Sequence, residues 1–123
     1  MEESKIAVNL LIRKGLISRE EIRNEAYRLR EKFKFKNVFT KEELEKIKKA
    51  ILDYLANTKG GGWAAGVMRF NMRQFAESLE DRYCYYCWHN LRSCVYKAGL
   101  KDPVILEKIE KFINDPKLKL LRE

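Results

Sequence analysis

A chain of 123 residues is long enough to bury a hydrophobic core without disulfides, and its 46% hydrophobic content predicts that it folds. Its net charge of +8 suits a negatively charged partner such as nucleic acid, a membrane surface or an acidic protein. The sequence lacks an apolar run of about 20 residues, has an N-terminus unlike a signal peptide, and carries an odd number of cysteines. We therefore expect a cytoplasmic protein that neither enters a membrane nor relies on a disulfide framework. The high Lys, Glu and Arg content, with one Gln, is typical of thermophile proteins.

The N-terminal part of the chain predicts two helices joined by a tight turn. The first covers about residues 4–14, and Gly15 ends it. A capping box of Ser18 and Glu21 starts the second, which extends to about Phe33. In both helices apolar residues recur at helical spacing, so each should turn one side inward. In the first helix Ile6, Leu10 and Leu11 share one side, and in the second Ile22, Ala26 and Leu29 (or Tyr27) face inward.

The next part of the chain predicts a third helix. Before it, residues 32–36 alternate lysine and phenylalanine, a pattern compatible with a short extended piece that has no strand to pair with. A second capping box, Thr40 with Glu43, starts the helix, which runs to about Asn57. The apolar stripe of this helix consists of Leu44, Ile47, Ile51 and Leu55.

A fourth helix is predicted over about residues 63–80, after three glycines at 60–62. It is apolar on two opposite sides, so it is either central in the fold or has a partner on its second side. We expect core packing on both sides, with an exposed arginine edge between them. One side carries Met68, Met72, Phe75 and Leu79, and the other carries Trp63, Val67 and Phe70.

Two further helices complete the prediction. The fifth runs from Arg82 to Ala98, with Gly99 as its stop, and the sixth starts at Asp102 and ends before Pro116. The sixth helix is expected to bury Val104, Leu106, Ile109 and Ile113 (or Phe112). Residues 117–123 form a tail that is either docked or flexible. The whole pattern predicts an all-α fold, a single compact bundle of about five to six mostly antiparallel helices, with one domain over residues 1–123.

Four potential metal ligands, Cys84, Cys87, His89 and Cys94, lie on the fifth helix. Thiolates and imidazole suit zinc, and three thiolates suit an iron–sulfur cluster. On a continuous helix, however, Cys84 and Cys94 would lie about 15 Å apart, too far for one ion, and His89 would point away from the cysteines. The spacing of the cysteines is that of a buried stripe, in which cysteine packs as a small hydrophobe. We therefore expect buried cysteines and no cofactor.

Arg82 and His89, with six residues between them, resemble the Arg-x(4–6)-His motif of the HEPN superfamily of small all-helical domains. In that family the two residues sit across a dimer cleft, and many members cleave RNA without a metal. The resemblance implies His89 as acid or base towards the ribose 2′-hydroxyl, with Arg82 holding the phosphate. On a helix that starts at Arg82, the two side chains would share one face. The sequence departs from the family at Tyr83, where a polar residue is usual.

Cationic and aromatic residues are interleaved around the fifth helix. Arginine and lysine neutralise phosphates, and exposed tyrosine or tryptophan stacks on bases. The glycines at 60–62 precede a helix N-terminus, whose backbone N–H groups can hold a phosphate. We call the following set the basic–aromatic surface, with Trp88 expected beside it: Arg69, Arg73, Arg82, Tyr85, Tyr86, His89, Arg92, Tyr96, Lys97 and Lys101.

Three functions are compatible with this surface. The predicted one is a small basic nucleic-acid-binding accessory protein without catalytic activity of its own. The first alternative is a protein–protein interaction module or subunit, with a different protein or a second copy as partner, because tyrosine, tryptophan and arginine are favoured at interfaces. The second alternative is the metal-independent ribonuclease that the resemblance implies.

Overall fold

The computed structural model describes residues 2–122, with side chains from Lys5 onward. Within these residues the chain is all-α, as predicted, and has no β-strand. Short 3-10 helices cover Leu79–Asp81 and Pro116–Leu121. Over the same residues no helix combines the length and the apolar content needed to cross a membrane. The α-helices are α1 (Glu2–Arg13), α2 (Arg19–Phe33), α3 (Phe35–Val38), α4 (Lys41–Asn57), α5 (Trp63–Glu77), α6 (Tyr85–Ala98) and α7 (Pro103–Ile113).

Local capping chemistry sets several helix boundaries. Ser18 Oγ accepts a hydrogen bond from the Glu21 N–H at 3.0 Å. Thr40 and Glu43 form a reciprocal box, in which each side chain accepts a hydrogen bond from the other residue's N–H. Asp102 caps α7 by accepting from two N–H groups of its first turn. The three predicted N-caps are therefore confirmed.

One core cluster joins helices α2 to α7 and the C-terminal segment. Its centre is Trp88, which is fully buried on α6. The indole stacks on Phe112 at 5.4 Å between ring centroids and meets the ring of Phe35 edge-on at 4.8 Å. Its Nε1–H donates to the Phe33 carbonyl oxygen at 3.0 Å, which satisfies a carbonyl at the end of α2. The core thus holds α6 against both α2 and α7.

The segment at residues 32–36 is not a separate extended piece. Only Lys34 has an extended backbone conformation, and the chain bends there between the end of α2 and the start of α3. Phe33 and Phe35 are both fully buried, although they alternate with lysines. Residues two apart also share one face of a strand, so the alternation of phenylalanine and lysine is equally compatible with the bend that the structure shows.

Two helices bury different residues from those predicted. In α7, Ile109 is buried as predicted, but Ile105 is buried in place of Val104, which is 56% exposed. Ile105, Ile109 and Phe112 recur at helical spacing along the side that packs on the core, and Val104 lies about 100° around the helix from Ile105. Helix α1 lies at the margin of the bundle and makes only slight contact with other elements. Its apolar residues Ile6, Leu10 and Leu11 are exposed instead of facing inward.

The C-terminal segment is docked as far as residue 122. Leu118 is fully buried and Leu121 nearly so, and the 3-10 helix that carries them contacts α2 and α6. Asp115 caps this helix through the Lys117 N–H and also pairs with Lys32 at 2.9 Å. The predicted tail extends to Glu123, which lies outside the described residues.

Candidate nucleic-acid interface

The start of α6 decides how the predicted site residues are arranged. Cys84 is the N-cap of this helix, and its sulfur accepts the Cys87 N–H. Arg82 precedes the cap in an extended conformation, and its carbonyl oxygen accepts the Phe35 N–H at 2.9 Å. The predicted helix start at Arg82 is therefore wrong, because a backbone hydrogen bond to α3 holds this residue outside the helix.

Arg82 and His89 have different neighbours. The Arg82 guanidinium donates to Ser78 Oγ at 2.8 and 3.1 Å and lies 5.3 Å from the Phe75 ring centroid. His89 packs on the Tyr85 ring at 4.4 Å between centroids. The expectation that Arg82 and His89 share one face of a continuous helix is wrong, because the helix begins after Arg82.

An open cleft of about 670 Å³ separates α5 from α6. Arg82, Asn90, Ser93 and Lys97 contribute polar groups to its lining. The Lys97 ammonium lies 3.8 Å from the sulfur of Met68 on the α5 side. Two members of the basic–aromatic surface, Arg82 and Lys97, therefore line the cleft.

Another part of that surface forms what we call the His89 cluster, which comprises Tyr85, His89, Arg92 and Arg122. The Arg122 guanidinium lies 4.6 Å from the centroid of the Tyr85 ring, which also contacts the imidazole. Partial burial lowers the pKa of His89 below its ordinary value, and the positive charges of Arg92 and Arg122 lower it further. The imidazole is therefore neutral at pH 7, beside two permanent cations.

Arg122 was missed by the sequence analysis. It lies in the C-terminal segment, far along the chain from α6, and no motif marks it. It reaches Tyr85 because Leu118 and Leu121 dock that segment onto the bundle. The apolar spacing of these two leucines was the only sequence signal, and it indicated docking without indicating where.

The remaining members of the basic–aromatic surface differ in exposure. Tyr86 and Tyr96 are 49% and 67% exposed, so both rings are accessible. Trp88, expected beside them, is fully buried, so that expectation is wrong. Arg69 donates to the Gly60 carbonyl oxygen at 2.9 Å and thereby holds the glycine loop. The exposed cations of the set are Arg73, Lys97 and Lys101.

Four lysines outside the basic–aromatic surface are paired with carboxylates. The four pairs have N–O distances between 2.7 and 3.3 Å, so each lysine charge is partly offset by a neighbouring carboxylate. The pairs are Lys32–Asp115, Lys34–Glu31, Lys36–Asp81 and Lys46–Asp102.

All three cysteines are buried, as predicted. The Sγ atoms of Cys84 and Cys87 lie 2.7 Å apart. Cys94 lies farther along α6 and lines the cleft, and burial raises the pKa of its thiol despite the opposing charge of Lys97. Among residues 2–122, no three His, Cys, Asp or Glu side chains are grouped to hold a metal ion, so Cys84, Cys87, His89 and Cys94 are not one ligand set.

The second apolar side of α5 is uncovered. Trp63, Val67 and Phe70 are 85%, 37% and 62% exposed. The expectation that they pack in the core is wrong, since α4 packs against the opposite side of this helix and these three side chains stay exposed. We call these three residues the apolar outer face of α5.

Comparison of the chain with protein-family models, curated proteins and solved structures gives no match. The HEPN resemblance thus depends on Arg82 and His89 alone, and these side chains have different neighbours. Any functional proposal therefore depends on the chemistry of the His89 cluster, the cleft and the apolar outer face.

Proposed function

We propose that the protein is a nucleic-acid-binding accessory protein that acts through the His89 cluster and the exposed tyrosines of α6. The observation that carries the proposal is the Arg122 guanidinium over the Tyr85 ring, which also contacts His89, with the charges of both Arg92 and Arg122 acting on that imidazole. Arginine binds phosphate oxygens through two parallel hydrogen bonds, so two neighbouring arginines suit a phosphodiester backbone.

The ion pair that Arg92 forms among residues 2–122 leaves this arginine available to a phosphate. Arg92 lies 3.6 Å from Glu110, and both side chains are more than a third exposed. Such surface pairs contribute about 0–1 kcal/mol, so a phosphate can replace the carboxylate at small cost. The ring of Tyr96, on the same helix, is exposed and offers a stacking surface for a base.

Fluorescence anisotropy with labelled single- and double-stranded DNA and RNA tests the proposal. We expect binding that weakens steeply with salt, because each neutralised phosphate adds about 0.7–0.9 to the logarithmic salt slope. Arg92→Ala and Arg122→Ala should each lower the magnitude of that slope by about 0.7–0.9, which is the contribution of one phosphate contact. Arg28→Ala is the matched control, because Arg28 is an exposed, paired arginine on α2.

The outcomes separate the proposal from its alternatives. Absence of binding to all four nucleic acids at low salt would refute it. Equal weakening by Arg28→Ala and Arg92→Ala would show attraction by net charge alone and would also refute the assigned site. RNA shortening that disappears in His89→Ala would replace the proposal with a ribonuclease.

Base stacking is tested separately on α6. Tyr96→Ala should weaken single-strand binding by about 1–3 kcal/mol, the usual contribution of one stacked base. Tyr27→Ala is its control, because Tyr27 is a 61% exposed tyrosine on α2. Similar affinities for the two variants would show that Tyr96 does not stack on a base.

A second candidate function, protein–protein interaction, is favoured by the apolar outer face of α5. Exposed apolar patches mark binding surfaces in soluble proteins, and Trp63 is 85% exposed. Sedimentation over a range of concentrations should show self-association that Trp63→Ser and Phe70→Ser abolish. A monomer at every concentration would exclude a second copy of this chain as the partner.

A further inference from the structure

We infer that Cys84 and Cys87 are a dithiol–disulfide redox pair at the start of α6. Their Sγ atoms are in direct contact at 2.7 Å, and both belong to the first turn of one helix. A bond between two sulfurs requires a separation of about 2.0 Å, so a small approach of the side chains closes it. This inference does not depend on the proposed nucleic-acid function.

Capping geometry explains why the two sulfurs meet. Cys84 occupies the N-cap and Cys87 the third helical position, which is the spacing of a capping box. The Cys84 sulfur accepts the Cys87 N–H at 3.2 Å, as a serine or aspartate oxygen does at other N-caps. The positive end of the helix dipole favours a negatively charged group there, and a thiolate is the nucleophile of disulfide exchange.

Cys94 provides a comparison within the same helix. It is 7% exposed, almost the same as the 8% of Cys84 and Cys87, but it lies more than a turn farther along α6. It follows Cys87 by seven positions, which places it about 10 Å farther along the helix axis and beyond the reach of a disulfide with that residue. The chain thus contains two cysteines arranged for exchange and one of equal exposure that is not.

The reaction uses a low-molecular-weight disulfide, RSSR, as the oxidant. The Cys84 thiolate attacks one sulfur of RSSR, the S–S bond breaks, and the first RS⁻ leaves and takes up a proton. The Cys87 thiol loses its proton and attacks the Cys84 sulfur of the mixed disulfide, releasing the second RS⁻. Two protein thiols are oxidised to one disulfide, and RSSR is reduced to two RSH, so atoms and electrons balance.

The test is equilibration of the folded full-length protein with glutathione buffers of increasing oxidised fraction, in the presence of a chelator. Samples are quenched in acid, unfolded and alkylated, and the modified cysteines are located by peptide mass spectrometry. We expect Cys84 and Cys87 to lose alkylation together while Cys94 stays fully alkylated. Far-UV circular dichroism confirms that each variant is folded.

Variants separate the redox pair from general oxidation. Cys94→Ser should undergo the same transition as the wild type. Cys87→Ser should stop at a mixed disulfide with glutathione on Cys84. Full alkylation of Cys84 and Cys87 in the most oxidising buffer, or a disulfide that includes Cys94, would overturn the inference.

Discussion

Replacement of Trp88 by phenylalanine tests whether this one side chain holds α6 in place. The substitution keeps an aromatic ring beside Phe112 and Phe35 but removes the indole N–H. The Phe33 carbonyl at the end of α2 then loses the hydrogen bond that Trp88 donates at 3.0 Å. This hydrogen bond is shielded from solvent, because Trp88 is fully buried.

Two costs set the magnitude of the Trp88→Phe effect. A buried carbonyl left without its donor costs about 1–3 kcal/mol. The phenyl ring is smaller than indole by roughly three non-hydrogen atoms, and each methyl-sized void costs about 1 kcal/mol before neighbours relax. With partial relaxation we expect the free energy of unfolding to fall by about 2–4 kcal/mol.

Urea unfolding followed by far-UV circular dichroism measures this change without relying on tryptophan fluorescence. With an m-value of about 2 kcal/mol per molar, the midpoint should fall by roughly 1–2 M. Tyr96→Phe on the same helix is the control and should change stability by less than about 0.5 kcal/mol, because its ring is exposed. If the two variants were equally stable, the indole hydrogen bond and the packing around it would not hold α6.

Three further predictions follow from charge and backbone conformation. Partial burial raises the pKa of Glu43, but hydrogen bonds from Lys108 and the Thr40 backbone outweigh it, so the net pKa is lowered. The lowered pKa stabilises the fold at pH values above the ordinary carboxyl pKa, and this stabilisation is lost as the pH falls through the lowered pKa. Glu43→Gln should therefore be less stable than the wild type at pH 7, and the difference should disappear in acid. Gly99→Ala should destabilise the fold by about 1–2 kcal/mol because φ there is +69°, whereas Gly66→Ala near the start of α5 should stabilise it by about 0.5–1 kcal/mol. Thermal unfolding of both variants and the wild type measures the two changes. Nucleic-acid affinity should rise as the pH falls below the ordinary histidine pKa, because a nearby phosphate favours the imidazolium; a flat pH profile identical to that of His89→Gln would contradict this.

Local chemistry was readable from the sequence. The Ser18 N-cap of α2, the capping box of α4, the Gly99 stop of α6 and the buried stripe of α4 are confirmed, whereas at α2 only the Ser18 half of the predicted box is formed. Each of these features depends on residues within one or two helical turns of one another, so the spacing of those residues in the sequence is enough to predict it. The all-α class follows from the same signals, because apolar residues recur at helical spacing in most of these segments.

The arrangement of the candidate site was decided by contacts between distant parts of the chain. The start of α6 depends on the Arg82 carbonyl and the Phe35 N–H, and the His89 cluster requires Arg122 from the docked C-terminal segment. An apolar stripe in the sequence indicates that burial of that helix face is favourable, but it does not identify the element that packs against the face. For this reason the two apolar sides of α5 look alike in sequence, whereas the bundle buries Phe75 and leaves Phe70 exposed.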